Sequence, residues 1–157
     1  MQIEQQTWVL VADGTKYLLL HNAGDRDALN LQIVAHETQP NPPARDLGSD
    51  RPGRRNDAAR QTGNGVLTWG KSALEQTDWH RVGEARFAAH VAAVLADHAA
   101  AGRFRHLVIL ADPRTLGALR KAFDPALAAM ILAEIAKDYT QHPRDRIEAA
   151  ITALPPP

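Results

Sequence analysis

Leu107-Val108-Ile109-Leu110-Ala111 is an unbroken apolar run, and Asp112-Pro113 follows it at once. A strand with one wet face alternates apolar and polar residues, whereas a strand covered on both faces has no reason to. The run therefore predicts a strand inside a sheet that carries helices on both sides. Asp112-Pro113 is then a helix start: the aspartate accepts from freed backbone N–H groups, and proline at the first helical position lacks only a donor that would be orphaned anyway. A buried strand leading directly into a helix is the signature of an α/β domain.

The flanking segments extend that pattern. Thr7 to Ala12 is a short run rich in β formers, Asp13-Gly14 marks a turn, and Lys16 to His21 is a second run. Two such runs around Asp-Gly make a strong hairpin signal. After the polar turn Asn22 to Asp27, the stretch Leu29 to Thr38 alternates through Leu31, Ile33 and Ala35, which predicts a third strand and an antiparallel meander. Glu84 to Ala101 is expected to be a helix, with Phe87, Val91, Val94, Leu95 and His98 at helical spacing and Gly102 as its stop. Leu116, Leu119 and Phe123 share one face of the helix after Pro113, and Asp124-Pro125 repeats the starting device. Residues Ala126 to Tyr139 read two ways: helical by composition, but with Ile131, Ala133 and Ile135 spaced for one face of a strand. Pro143 opens a last helix carrying Ile147, Ile151 and Leu154, and Pro155 to Pro157 form a tail. The expected fold class is α/β: a single domain over residues 1–157, with a mixed, partly antiparallel β-sheet flanked by helices and the 107–111 run at its centre.

Charge and cysteine content narrow the function classes. Lys plus Arg and Asp plus Glu number 18 each, so there is no overall field for DNA or a membrane surface, and any anion site must be local. The chain has no cysteine, which removes disulfides, thiol nucleophiles and Cys-ligated zinc. Its first residues, Met1-Gln2-Ile3-Glu4-Gln5-Gln6, contain neither a basic region nor a signal-like apolar run. No segment approaches the ~20 apolar residues that span a bilayer. The expectation is a cytoplasmic protein without membrane partners.

Between about residues 39 and 81 periodicity fails, and Pro40, Pro42, Pro43, Gly48, Pro52, Gly53, Gly63, Gly65 and Gly70 punctuate what reads as a long loop. Loops of this length tend to be functional or disordered. Within it, Asp50-Arg51-Pro52-Gly53-Arg54-Arg55 is a turn: Pro52 presets φ, and Gly53 supplies the positive φ of a type II turn. Arg51 and Arg54 are thereby drawn together, with Arg55 beside them and Arg45 and Arg60 nearby. Clustered guanidinium forks suit phosphate or carboxylate, although the same arginines could instead pair with Asp46, Asp50 and Asp57. Trp69 and Trp79 are candidates for stacking on an unpaired base.

Other constellations carry less. His90, His98 and His106 are spaced by eight, but Gly102 breaks the helix before His106 and no His-Glu-x-x-His pattern exists, so no metal site is expected. His98 on an apolar face is more often a satisfied, partly buried histidine than a ligand. Gly63-Asn64-Gly65 lacks the strand, helix and glycine spacing of a phosphate-cradling loop. Asp112 and Arg114 lie at the carboxyl end of a predicted strand, where open α/β sheets bind ligands, but Asp112 would repel an anion and is explained as a cap. Asp138 and Asp145 could be general bases only in the sense that any exposed carboxylate could, and no Ser-His-Asp arrangement can be inferred. No catalytic residue is assigned and no cofactor is expected.

Taken in order, Trp8 to Gly14, Asp50 to Arg54, Arg86-Phe87-Ala88, Leu107 to Pro113, Leu116 to Arg120 and Lys137-Asp138-Tyr139-Thr140 resemble the host-attachment proteins, also called proteins required for attachment to host cells. That family comprises bacterial relatives of the middle domain of archaeal and eukaryotic peptide-chain release factors. The resemblance spans almost the whole chain and implies a mixed α/β sheet with a strand near Met130 to Ala136. In release factors the loop after the meander carries Gly-Gly-Gln, which promotes hydrolysis of peptidyl-tRNA. This sequence has no Gly-Gly-Gln, so the resemblance implies no release chemistry here, while the arginine turn does match the family pattern. The resulting expectation is a non-catalytic, translation-associated factor that binds ribosome or tRNA through Arg51, Arg54 and Arg55. Two alternatives stand beside it. One is a small hydrolase of a phosphorylated or acyl-linked substrate at Asp112 and Arg114, with the loop as a lid. The other is a scaffold that binds an unspecified protein partner, with an indirect role in attachment.

Overall fold

The structure is a computed structural model that describes the backbone of residues 1–39 and 69–157, and the side chains of 1–39 and 79–157. Its elements are β1 (Thr7–Ala12), β2 (Lys16–Asn22), β3 (Leu31–Thr38), α1 (Trp69–Ala100), β4 (His106–Ala111), α2 (Pro113–Ala122), α3 (Pro125–Ala128), β5 (Ile131–Ala136) and α4 (Arg144–Thr152). By backbone packing the chain divides into two units, Met1–Gln39 with Glu84–Pro157, and Pro40–Gly83. The first unit holds the whole sheet. Of the second, the structure describes the opening of α1, on which Trp79 and Val82 are exposed.

The five strands run in the order β3-β2-β1-β4-β5. β1, β2 and β3 form the antiparallel meander, while β4 pairs parallel with β1, and β5 parallel with β4. The 107–111 run is an interior strand, as its composition predicts, but the centre of the sheet is β1. A hairpin occupies only one edge of its first strand. The other edge of β1 is left for β4, and all six residues of β1 are buried.

Alternate residues of the central strands feed two cores. Trp8, Leu10, Ala12, Leu107, Ile109 and Ala111 face Phe87, Val91 and Leu95 of α1 and Leu116 and Leu119 of α2. Val9, Val11, Val108 and Leu110 face Ile147 and Ile151 of α4. Period-two strands between period-3.6 helices thus produce three layers, with the sheet in the middle.

Two sequence expectations are corrected or settled by the elements. Helix α1 begins at Trp69, inside the span expected to be loop up to Arg81. Lys71, Ala73, Leu74, Glu75 and Gln76 are strong helix formers, and the segment is helical in spite of Gly83, which costs about 1 kcal/mol in the helix interior. The two-way segment Ala126 to Tyr139 divides into the single turn α3 and the strand β5. β4 offers a free parallel edge, and Leu132, Ala133 and Ile135 pack toward the α4 side, so tertiary pairing overrides helical composition. Gly102 ends α1 as expected: at φ +68° its N–H reaches Ala99 O and the Arg103 N–H reaches His98 O, the paired bonds of a Schellman motif.

Candidate functional site

The three parallel strands end level, with Ala12 opposite Ala111 and Ala111 opposite Ala136. The residues that follow, Asp13, Asp112 and Lys137-Asp138, therefore emerge together at the carboxyl edge of the sheet, where open α/β sheets place ligands.

Most of the polar groups there are committed to building turns. Asp13 Oδ1 accepts from Thr15 N at 3.0 Å, Thr15 Oγ1 at 2.9 Å and Lys16 N at 3.0 Å, closing the hairpin. Its Oδ2 accepts from Thr140 Oγ1 at 3.1 Å, tying the segment after β5 to the hairpin. Burial alone would push the Asp13 carboxyl up, but these four hydrogen bonds to the charged form outweigh it and hold the group below the ordinary carboxylate range. Asp112 Oδ1 accepts from Arg114 N at 3.0 Å and Thr115 N at 3.2 Å, and its Oδ2 accepts from the Thr115 hydroxyl. Arg114 pairs with Glu84 of α1 at 2.9 Å. Gly14 allows the hairpin to approach α2, since a Cβ there would lie 3.0 Å from Thr115 Oγ1. Carboxylates engaged in this way hold the geometry of the turn and the helix start.

A second group at the same edge is built differently. In the segment after β5, Asp138 Oδ1 accepts from Thr140 N at 2.7 Å, and the single proton of the Thr140 hydroxyl is shared between Asp138 Oδ1 at 2.7 Å and Asp13 Oδ2. Tyr139 packs against the α4-side core, with the His142 ring 5.0 Å away and Lys137 Nζ 5.3 Å above its centroid. The sequence does carry a signal for this group, Lys137-Asp138-Tyr139-Thr140, but nothing in its spacing reveals that His142 and Arg146 join it.

The histidines occupy separate surroundings. His90 Nε2 lies 2.8 Å from Glu37 Oε2, which also accepts from the Tyr17 hydroxyl at 3.1 Å. Burial, followed by the bond and charge of Glu37, pushes the Tyr17 hydroxyl up to about 12. His98 packs 4.9 Å from Trp8, and burial followed by the charge of Arg103 pushes it down from the ordinary histidine value. His98 is thus a core-facing histidine, as its position on the helix face suggests. Among the described residues no group of three or more histidines and carboxylates is arranged to hold a metal ion.

Of the residues singled out from the sequence, Asp112 and Arg114 stand at the sheet edge, but their side chains are engaged in a cap and an ion pair. Arg45, Arg51, Arg54, Arg55 and Arg60, together with Gly63-Asn64-Gly65, lie outside the described residues, as does the side chain of Trp69. Trp79 is exposed on α1. No helix among the described residues is long and apolar enough to cross a membrane.

Similarity to known proteins is consistent with this architecture. The uncharacterized protein RP470 of Rickettsia prowazekii (strain Madrid E) is 37% identical over 51 residues, which is 32% of this chain and 34% of that protein. The chain therefore matches about a third of that relative's length. A far longer match, over residues 6–151, takes in every strand and the whole described sheet, and it shows that the chain belongs to the bacterial archaeo-eukaryotic release factor family 12.

Proposed function

We propose that this protein is a non-catalytic, translation-associated factor that binds the RNA of ribosome or tRNA through Arg51, Arg54 and Arg55, with Arg45 and Arg60 adding charge. The supporting observation is membership of a release-factor family over residues 6–151 in a chain that contains no Gly-Gly-Gln. A release-factor-like scaffold without that tripeptide keeps the means of docking on RNA and loses the group that promotes peptidyl-tRNA hydrolysis. The balanced charge of the chain makes a local arginine cluster the natural phosphate contact, and an exposed Trp79 suits an unpaired base.

The test is co-sedimentation of the purified protein with ribosomes across a salt series, beside an Arg51→Ala, Arg54→Ala, Arg55→Ala variant. The expected result is salt-sensitive binding whose slope of log affinity against log salt falls by about 0.7–0.9 for each phosphate that the variant no longer neutralises. Absence of binding at low salt, or equal binding by the variant, overturns the reading.

A second reading draws on the position of Asp112 and Arg114 at the carboxyl ends of parallel strands: hydrolysis of a phosphorylated or acyl-linked substrate there. It requires Asp112 to leave its cap and Arg114 to leave Glu84. Ester hydrolysis abolished by Asp112→Asn would establish it. A further alternative is a scaffold that binds a protein partner, with an indirect role in attachment to host cells.

A further inference from the structure

The segment that joins β5 to α4 forms, with that helix, an open surface pocket of about 490 Å³ lined by Lys137, Tyr139, His142, Arg146, Ala149 and Ala150. We propose that this pocket binds the phosphate of a phosphorylated small molecule of nucleotide size. Its residues are remote in sequence from the arginine turn, and such a site is independent of ribosome binding.

Charge is the first support. Three of the six lining side chains are cationic or can become so, and among the described residues none of them is in an ion pair. The carboxylates in the same segment are Asp138, whose Oδ1 is bonded to Thr140, and Asp145 in the first turn of α4. Arg146 can offer two N–H groups to two phosphate oxygens, while Lys137 adds a point charge and His142 a ring N–H.

Construction is the second. Tyr139 and Ala150 are seated against the α4-side core, so the floor of the pocket is anchored. The Tyr139 ring gathers Lys137 on its face and His142 beside it, at 5.3 Å and 5.0 Å. The segment itself is pinned by Thr140 Oγ1 to Asp138 at 2.7 Å and to Asp13 at 3.1 Å, and by His142 N to Tyr139 O at 3.0 Å. The Tyr139 contacts restrain Lys137 and His142 before a ligand arrives, which reduces the freedom those two side chains lose on binding.

Position and size point the same way. Lys137 directly follows the last residue of β5, at the carboxyl ends of the parallel strands. Small-molecule sites occupy roughly 300–1,000 Å³, so a pocket of about 490 Å³ is sized for an organic phosphate and exceeds what a lone ion needs. Ala149 and Ala150 on α4 leave that space open.

The experiment is calorimetric titration of the full chain at low salt with adenosine monophosphate, inorganic phosphate and adenosine. Adenosine monophosphate is expected to bind, inorganic phosphate to bind at least about tenfold more weakly, and adenosine not to bind. A Lys137→Ala, Arg146→Ala variant is expected to lose about tenfold or more in affinity for the monophosphate, as for removal of charge-assisted bonds, with its melting temperature unchanged. In the parent chain the His142 ring resonances should shift on addition of the monophosphate. Absence of monophosphate binding, adenosine binding as tightly, or unchanged affinity in the variant would overturn the proposal. Inorganic phosphate equalling the monophosphate would overturn the nucleotide-sized ligand. The Arg51→Ala, Arg54→Ala, Arg55→Ala variant should bind the monophosphate like the parent; loss of binding there would move the site to the arginine turn and also defeat the proposal.

Discussion

Gly14 and Gly102 both sit at positive φ, +88° and +68°, but in different company. At Gly102 a Cβ would meet nothing within 4 Å, so Gly102→Ala should cost only the left-handed backbone strain, about 1–2 kcal/mol. At Gly14 the Cβ would press on Thr115 Oγ1 at 3.0 Å, and that hydroxyl cannot yield freely because it is bonded to Asp112. Gly14→Ala should therefore be the more destabilising of the two in urea denaturation, and equal losses would show that the hairpin and α2 do not meet as described. Asp112→Ala removes the side-chain acceptor of two backbone N–H groups and should cost about 0.5–2 kcal/mol by the same measurement. The sequence marks Asp13-Gly14 as a turn and Asp112 as a cap. It cannot reveal that the two meet, because Gly14 and Thr115 come together only when β1 pairs with β4.

At the scale of elements, α1 was half visible in the sequence. From Glu84 onward its apolar residues recur every three or four positions and bury Phe87, Val91 and Leu95, whereas the opening turns lack that stripe. The two parts should respond differently to truncation. Leu95→Ala, at a fully buried position against the sheet, is expected to cost about 2–5 kcal/mol, while Val82→Ala, 46% exposed, should stay within about 0.5 kcal/mol. Chemical denaturation of both variants checks this, and similar losses would contradict the burial. β5 shows the limit of reading composition: Ala133, Glu134 and Ala136 are poor strand formers, yet the segment is extended because β4 supplies a partner. Glu134 on that strand is held by Arg120 of α2, whose Nε lies 2.9 Å from Oε2, an ion pair between elements that no local pattern announces.

For the molecule as a whole, titration should report the tertiary bonds. Glu37 is held below its ordinary value of 4.5 by its bonds from His90 and Tyr17, and Asp13 below 3.8 by hydrogen bonds that overcome its burial. A carboxyl depressed in the folded state stabilises it fully above the unfolded value, and that contribution is lost as pH falls through the folded value. Stability should thus begin to decline below about pH 4.5 and fall further below 3.8, with Glu37→Gln flattening the upper part of the loss. Tyr17 has the opposite sense: raised from 10.0 to about 12, it stabilises the fold fully below 10.0 and the contribution disappears as pH rises toward 12. An alkaline absorbance titration should show a tyrosine ionising near 12 that Tyr17→Phe removes; survival of that step in the variant would exclude the assignment.

Sequence alone determined the class of fold, the hairpin, the buried run after residue 106 and the caps, because each depends on local periodicity or on one or two residues of special conformation. The release-factor resemblance was legible too, since it rests on ordered short motifs. Composition left residues 131–136 open between helix and strand, and the family resemblance pointed to the strand that is found; tertiary structure decided that β1 lies at the centre and that α1 begins at Trp69. It also decided that Lys137, Tyr139, His142 and Arg146 share one pocket. These outcomes depend on which strand edges find partners and on which side of the sheet a helix returns, and such contacts join residues whose separation along the chain carries no trace of their meeting.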